Sequence, residues 1–303
     1  MNALNLCTYL QEGLFFNALA EQKSIDAIII DKAVPASWDK AIPVYSLQEM
    51  QRWAAGALQA LVGKHKHILV LREKLPIRYL LPLLHTAPKE LSITIVNIWA
   101  WVSGLLSKGI SDLTDIDHVL PTDFRIVEPC DVLSFFVLLR QPGHTYIRLP
   151  HKEFVADLLQ GEGTPTRDNG LLDATKRWYS GDEATIICPG WLLSWVIQAL
   201  HTLGTEERTA DLFVVSDYRF KRSKELLASC KKTEHCIVLL DQSLTSTYQE
   251  LLTLTCTHKV SSNVKLDFLL PQTTTPTTIL SDDLRHQAGF SPEMLYERLS
   301  EML

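Results

Sequence analysis

The sequence predicts an α/β protein built from two doubly wound domains, and three observations carry that expectation. Short apolar, β-branched runs of strand length alternate with stretches of helical period, as βα units forming a mainly parallel sheet require. The runs are continuous rather than alternating, which fits strands covered by helices on both faces. A polar, glycine-containing stretch from Gln160 to Gly181 divides the 303 residues into halves of domain size.

In the first half the strand-like runs are Ile25–Ile30, His67–Leu71, Ser92–Asn97, Phe124–Val127 and Thr145–Leu149. Helical patterns fall near Leu4–Ala20, Leu47–Leu61, Ile77–His85, Asp112–Leu120 and Asp131–Arg140. Asp131 suits a helix start, because its carboxylate can accept from the free amides of the first turn while Pro129 restricts the approach. In the second half, Ala184–Cys188, Asp211–Val215, His235–Leu240 and Val264–Leu269 have strand character, with helices near Trp191–Leu203, Ser223–Cys230, Ser246–Thr253 and Pro292–Met302. The predicted organisation is a first domain over 1–158, a linker over 159–180 and a second, smaller domain over 181–303.

Composition narrows the function classes. Residues are 46% hydrophobic and 21% charged, with a net charge of -6. That balance gives no basic field for a phosphate backbone, so nucleic acid is set aside as a partner. The longest apolar stretches, Val132–Leu139 and Trp191–Leu200, are far shorter than the about 20 residues that cross a bilayer, so no membrane partner is expected. The amino terminus has Glu12 and Glu21 in a helical pattern rather than a basic leader with an apolar run. Cys7, Cys130, Cys188, Cys230, Cys236 and Cys256 stand singly, without metal-ligand spacing, and read as reduced buried thiols. A cytoplasmic location is expected, and no metal-ligand set is assigned.

The segment SDLTDIDHVLPTDFRIVEPCD, Ser111 to Asp131, resembles the stretch of transketolases and of 2-oxo acid dehydrogenase beta subunits in which a helix ends in Ile/Leu-Pro, a strand follows, and Pro-x-Asp opens the next helix. TYIRLP, Thr145 to Pro150, is similar to those families' hPGPvYiRl passage, which closes a thiamine-pyrimidine-binding domain. GDEATIICPG, Gly181 to Gly190, resembles the start of the transketolase carboxyl-terminal domain, and Cys230 to Thr233 resembles a later passage of it. The four occur in family order.

The resemblance implies thiamine diphosphate as cofactor, shared with a separate alpha-type subunit that holds Mg2+ and the diphosphate, because this chain has no matching GDG-then-Asn motif. It implies a homodimeric contact within a heterotetramer, working as a transketolase or as a 2-oxo acid (pyruvate) dehydrogenase component. The pyrimidine domain of the family gives one glutamate that bonds the aminopyrimidine ring and shifts its tautomer. The matching stretch here is IPVYSLQEMQRWAAG, Ile42 to Gly56. Alignment on the Ala-Gly pair puts that position on Leu47; alignment on the preceding strand puts it on Gln48 or Glu49. Glu49 is the catalytic candidate, and Glu49 with Gln48 are the cofactor-binding candidates.

Arg148 and His151 are the substrate-binding candidates, with His151 standing where the family's second arginine contacts phosphate. The residues alone also allow Glu49 to be a first-turn glutamate favoured by the positive helix end, and Arg148 to be half of an ion pair. His65, His67, His144 and His151 lie near predicted loop and strand ends, where the cleft of an open sheet would be; they read first as surface histidines on loops and second as acid or base groups of that cleft. Departures from the family pattern leave a second expectation open. No aromatic stands in Ile68 to Glu73, and no histidine in Ser107 to Ser111. That alternative is a non-catalytic, degenerate scaffold or regulatory subunit.

Overall fold

A computed structural model of the chain describes residues 25–30, 42–46, 65–72, 80, 84, 88, 90–98, 123–129, 135, 138–139, 142–149, 175–215, 224–239, 264–269 and 290–303. The chain divides into two compact units, one of residues 1–103 with 115–154 and one of residues 104–114 with 155–303. Each carries its own sheet, as the α/β expectation requires.

The first unit holds six strands: β1 (Ala27–Ile30), β2 (Val44–Ser46), β3 (His67–Arg72), β4 (Ser92–Ile98), β5 (Arg125–Val127) and β6 (Thr145–Leu149). Their order is β2-β1-β3-β4-β6-β5, and every neighbouring pair is parallel. Ile28, Ile29, Ile68, Leu69, Ile93, Ile95 and Ile147 are fully buried, so consecutive residues of one strand are covered on opposite faces. This is why the strands read as unbroken apolar runs. From β1 the chain steps to β2 on one side, and then returns to β3 on the other. The carboxyl ends of β1 and β3 therefore flank the point where the winding direction changes, the usual ligand crevice of an open sheet.

The second unit holds β7 (Thr175–Tyr179), β8 (Ala184–Pro189), β9 (Ala210–Val215), β10 (His235–Leu239) and β11 (Lys265–Leu269) in the order β11-β10-β8-β9-β7. Four are parallel, and β7 runs antiparallel beside β9. Residues 175–179 of the 159–180 linker segment thus form an edge strand instead. A three-residue 3-10 turn, Gly190–Leu192, leads into α1 (Leu193–Gly204), which buries Leu193, Val196, Ala199, Leu200 and Leu203 along one stripe. α2 spans Lys224–Thr233 and α3 spans Pro292–Met302. Ser291 caps α3 by accepting from the Met294 amide at 3.3 Å, and Pro292 follows it where a missing N–H costs nothing. α3 buries Leu295 and Leu299 and packs on α1.

Cys188, Cys230 and Cys236 are buried free thiols. Among the described residues no helix is long and apolar enough to cross a membrane. The helices predicted around Leu4–Ala20, Leu47–Leu61, Asp112–Leu120 and Ser246–Thr253 lie outside the described residues.

Candidate functional site

The carboxyl edge of the first sheet collects polar groups at the ends of apolar strands. Ser46 closes β2, Asn97 lies near the end of β4 opposite Arg148 of β6, and Glu128 follows β5 directly. All four are at most 3% exposed. Arg148 donates through Nη1 to Glu128 Oε2 at 2.9 Å, and both side chains are buried. Two charges so deeply placed are tolerable because each neutralises the other. The guanidinium that the family resemblance offers to substrate therefore faces a carboxylate of its own chain.

The amino edge of the same sheet is a separate polar layer. Asp26 accepts from the amides of Lys66 at 2.7 Å and His67 at 2.9 Å, and the His67 ring lies 2.9 Å from the Thr94 hydroxyl. Burial works against the Asp26 charge, but those two amides and the nearby His65 and His67 rings hold its carboxyl below the ordinary range. His144 precedes β6 and stacks on Phe124, with ring centres 4.8 Å apart and planes 12° from parallel. Burial pushes the His144 imidazole below its ordinary value, with the exposed Asp123 carboxylate at 3.8 Å opposing. His65, His67 and His144 thus stand at the amino ends of β3 and β6, away from the carboxyl edge where an open sheet takes its ligand. This corrects their placement as cleft acids or bases.

In the second unit, the residues resembling the transketolase carboxyl-terminal domain meet at the amino ends of β8 and β9. Asp211, wholly buried, accepts from the Gly181 amide at 3.0 Å, the Ser229 hydroxyl at 2.6 Å and Lys232 Nζ at 2.9 Å. Thr185 continues the network to Ser229 at 2.6 Å and Thr233 at 2.9 Å. Burial opposes the Asp211 charge, yet Ser229, Lys232 and the Gly181 amide hold its carboxyl below the usual range. The hydrogen bond to Asp211 raises Lys232 in turn. A Cβ on Gly181 would lie 2.2 Å from the Ala210 amide nitrogen, so the close pass of these two segments needs glycine. These motifs build a hydrogen-bonded brace rather than a reactive centre.

No protein-family model matches the sequence, and no curated protein matches it. Solved structures do. One is a chain titled split gene transketolase, inactive beta4 tetramer, with a TM-score of 0.66 at 14% identity, covering 94% of this chain and 95% of that one. Another is the transketolase of Campylobacter jejuni subsp. jejuni NCTC 11168, with a TM-score of 0.67 at 12% identity, covering 95% of this chain but 45% of that one. The fold is transketolase-like.

Within that transketolase-like frame, the sequence-predicted site residues are placed unevenly. Arg148 is at the carboxyl edge, held by Glu128. Gln48, Glu49 and His151 lie outside the described residues: the first two follow the last residue of β2 by two and three positions, and His151 follows the last residue of β6 by two. Among the described residues no group of three or more His, Cys, Asp or Glu could hold a metal ion. Glu128 was not foreseen as a partner for Arg148. Its signal was a charged residue directly after Arg125-Ile126-Val127, in line with an arginine near the end of another strand.

Proposed function

We propose that this chain is the beta-type half of a thiamine-diphosphate enzyme, completed by a separate alpha-type subunit that brings the diphosphate site and its Mg2+. The observation that supports this reading is the shared fold: 94% of the chain matches a chain titled split gene transketolase, inactive beta4 tetramer, at a TM-score of 0.66, and 95% of it matches 45% of the Campylobacter transketolase at 0.67. That split-gene neighbour is named inactive as a beta4 tetramer. This supports a division of labour in which a beta-type chain needs more than copies of itself.

Chain order supports Glu49 as the residue for the aminopyrimidine end of the cofactor: it comes three residues after Ser46, the last residue of β2, which pairs parallel with β1. The cofactor, when bound, would supply an acidic thiazolium carbon as nucleophile and its cationic ring as electron sink. Glu49 would hold the aminopyrimidine ring in the tautomer whose amino group can take a proton. The reaction would be ketol transfer or 2-oxo acid decarboxylation. In the complex reconstituted with its alpha-type subunit, Glu49→Gln should lower turnover by about 10²-fold or more, the usual share of a positioned proton-transfer group. Turnover unchanged by that substitution removes Glu49 from the role.

A second reading is favoured by two observations. The Arg148 charge is taken up by Glu128, and the Ile68–Leu71 run of β3 is buried apolar surface with no aromatic ring. A non-catalytic scaffold or regulatory subunit would keep this architecture and lose the contacts. A reconstituted complex that binds no thiamine diphosphate supports the scaffold.

A further inference from the structure

β5 is a three-residue edge strand, paired with β6 only through Arg125–Thr145, Ile126–Tyr146 and Val127–Ile147. So short a strand could slip by two residues against β6 and still point its apolar side chains to the same face, because the side-chain period is two. One face of the pair carries three consecutive cross-strand contacts that answer this. Phe124 stacks on His144 at the amino end, Ile126 lies beside Tyr146, and Glu128 meets Arg148 at the carboxyl end. Ile126 and Tyr146 are fully buried, as are Glu128 and Arg148.

We propose that the Glu128–Arg148 ion pair is a register lock that makes Arg148 a positioning residue, fixing where the chain from Pro129 onward leaves the carboxyl edge of the first sheet. A two-residue slip in either direction shifts β5 by about 6.6 Å and separates the two buried charges from each other. An apolar pair at these positions would not distinguish the registers so sharply. With its Nη1 held on Glu128, Arg148 would meet an anionic part of a substrate only through its remaining donors. That last consequence rests on the proposed function; the register does not.

Disulfide trapping in the full chain reads the register without partner or cofactor. Arg125→Cys/Thr145→Cys places thiols on directly paired residues. Arg125→Cys/Ile147→Cys and Val127→Cys/Thr145→Cys place them about 8 Å apart, beyond disulfide reach unless β5 slips. Cross-links are identified by peptide mapping after refolding under oxidation. With the ion pair intact the direct pair should exceed both slipped pairs by at least about tenfold, and with Glu128→Leu/Arg148→Met the excess should fall to about threefold or less. Glu128→Gln reads the same ratio if that double variant does not fold. Leu138→Ala weakens the same unit without touching the pair and should leave the preference intact, as should Arg148→Lys, which keeps the charge. An undiminished preference without the ion pair, or an equal loss in Leu138→Ala, overturns the proposal. Absence of cofactor binding in a reconstituted complex would instead strike the functional reading and leave the register result standing.

Discussion

Asp211→Asn tests the brace at the amino ends of β8 and β9. The substitution keeps the shape of the side chain but removes the charge that Ser229, the Gly181 amide and Lys232 all address. Hydrogen bonds to a charged group contribute about 1.5–3 kcal/mol each, and an amide NH2 turned toward a donor forfeits more than the bond. Lys232 is 42% exposed and can turn to water, so its share is discounted. The buried remainder comes to about 3 kcal/mol, which for a unit of this size lowers Tm by about 6–12 °C. Because the folded carboxyl lies below its unfolded value of about 3.9, the stabilisation is fully present above that pH and is lost as the pH falls through the folded value. Calorimetric scans of parent and variant should therefore differ by a constant amount from pH 8 down to about pH 5 and converge below about pH 4. A difference under about 1 °C at pH 7, or one that widens in acid, would refute the reasoning.

Other substitutions probe separate parts of the structure. Gly181→Ala forces its new methyl to within 2.2 Å of the Ala210 amide and should lower the urea midpoint of the second unit, since backbone on both sides must move. Ile28→Ala in the covered centre of the first sheet should cost about 2–5 kcal/mol, read by urea unfolding. His144, held neutral by burial, adds a pH slope of known sign. Its folded value lies below the unfolded value of about 6.5, so stability is full above that pH and declines as the pH falls through it. His144→Phe should flatten that slope between pH 7 and 5 in urea titrations, and an unchanged slope would place the proton elsewhere.

The central strands were legible because their buried positions carry Ile, Leu and Val without interruption, as in Ile28–Ile30 and in Ile68–Leu71. β2 is only Val44-Tyr45-Ser46, half-covered at the sheet edge, and too short for a hydrophobic pattern to register. β7 reads Thr-Lys-Arg-Trp-Tyr, with no apolar run to mark it as a strand, and it adjoins a segment whose glycines and Pro165 point to a linker. At the candidate site, the apolar runs located the strand ends but strand direction decides which end matters. His67 opens its run and His144 precedes one, which puts both at amino ends in an all-parallel sheet. An ion pair for Arg148 was open in the sequence, but choosing Glu128 as its partner depends on β6 pairing with β5 in one register.

Thiamine-diphosphate titration by calorimetry, with this chain alone and then mixed with the diphosphate-binding subunit in the presence of Mg2+, tests the proposed division of labour most directly. The chain alone should give no binding heat, and the mixture should bind one cofactor per pair of unlike chains. Saturable binding by the chain alone, or none by a mixture that forms a stable complex, contradicts it.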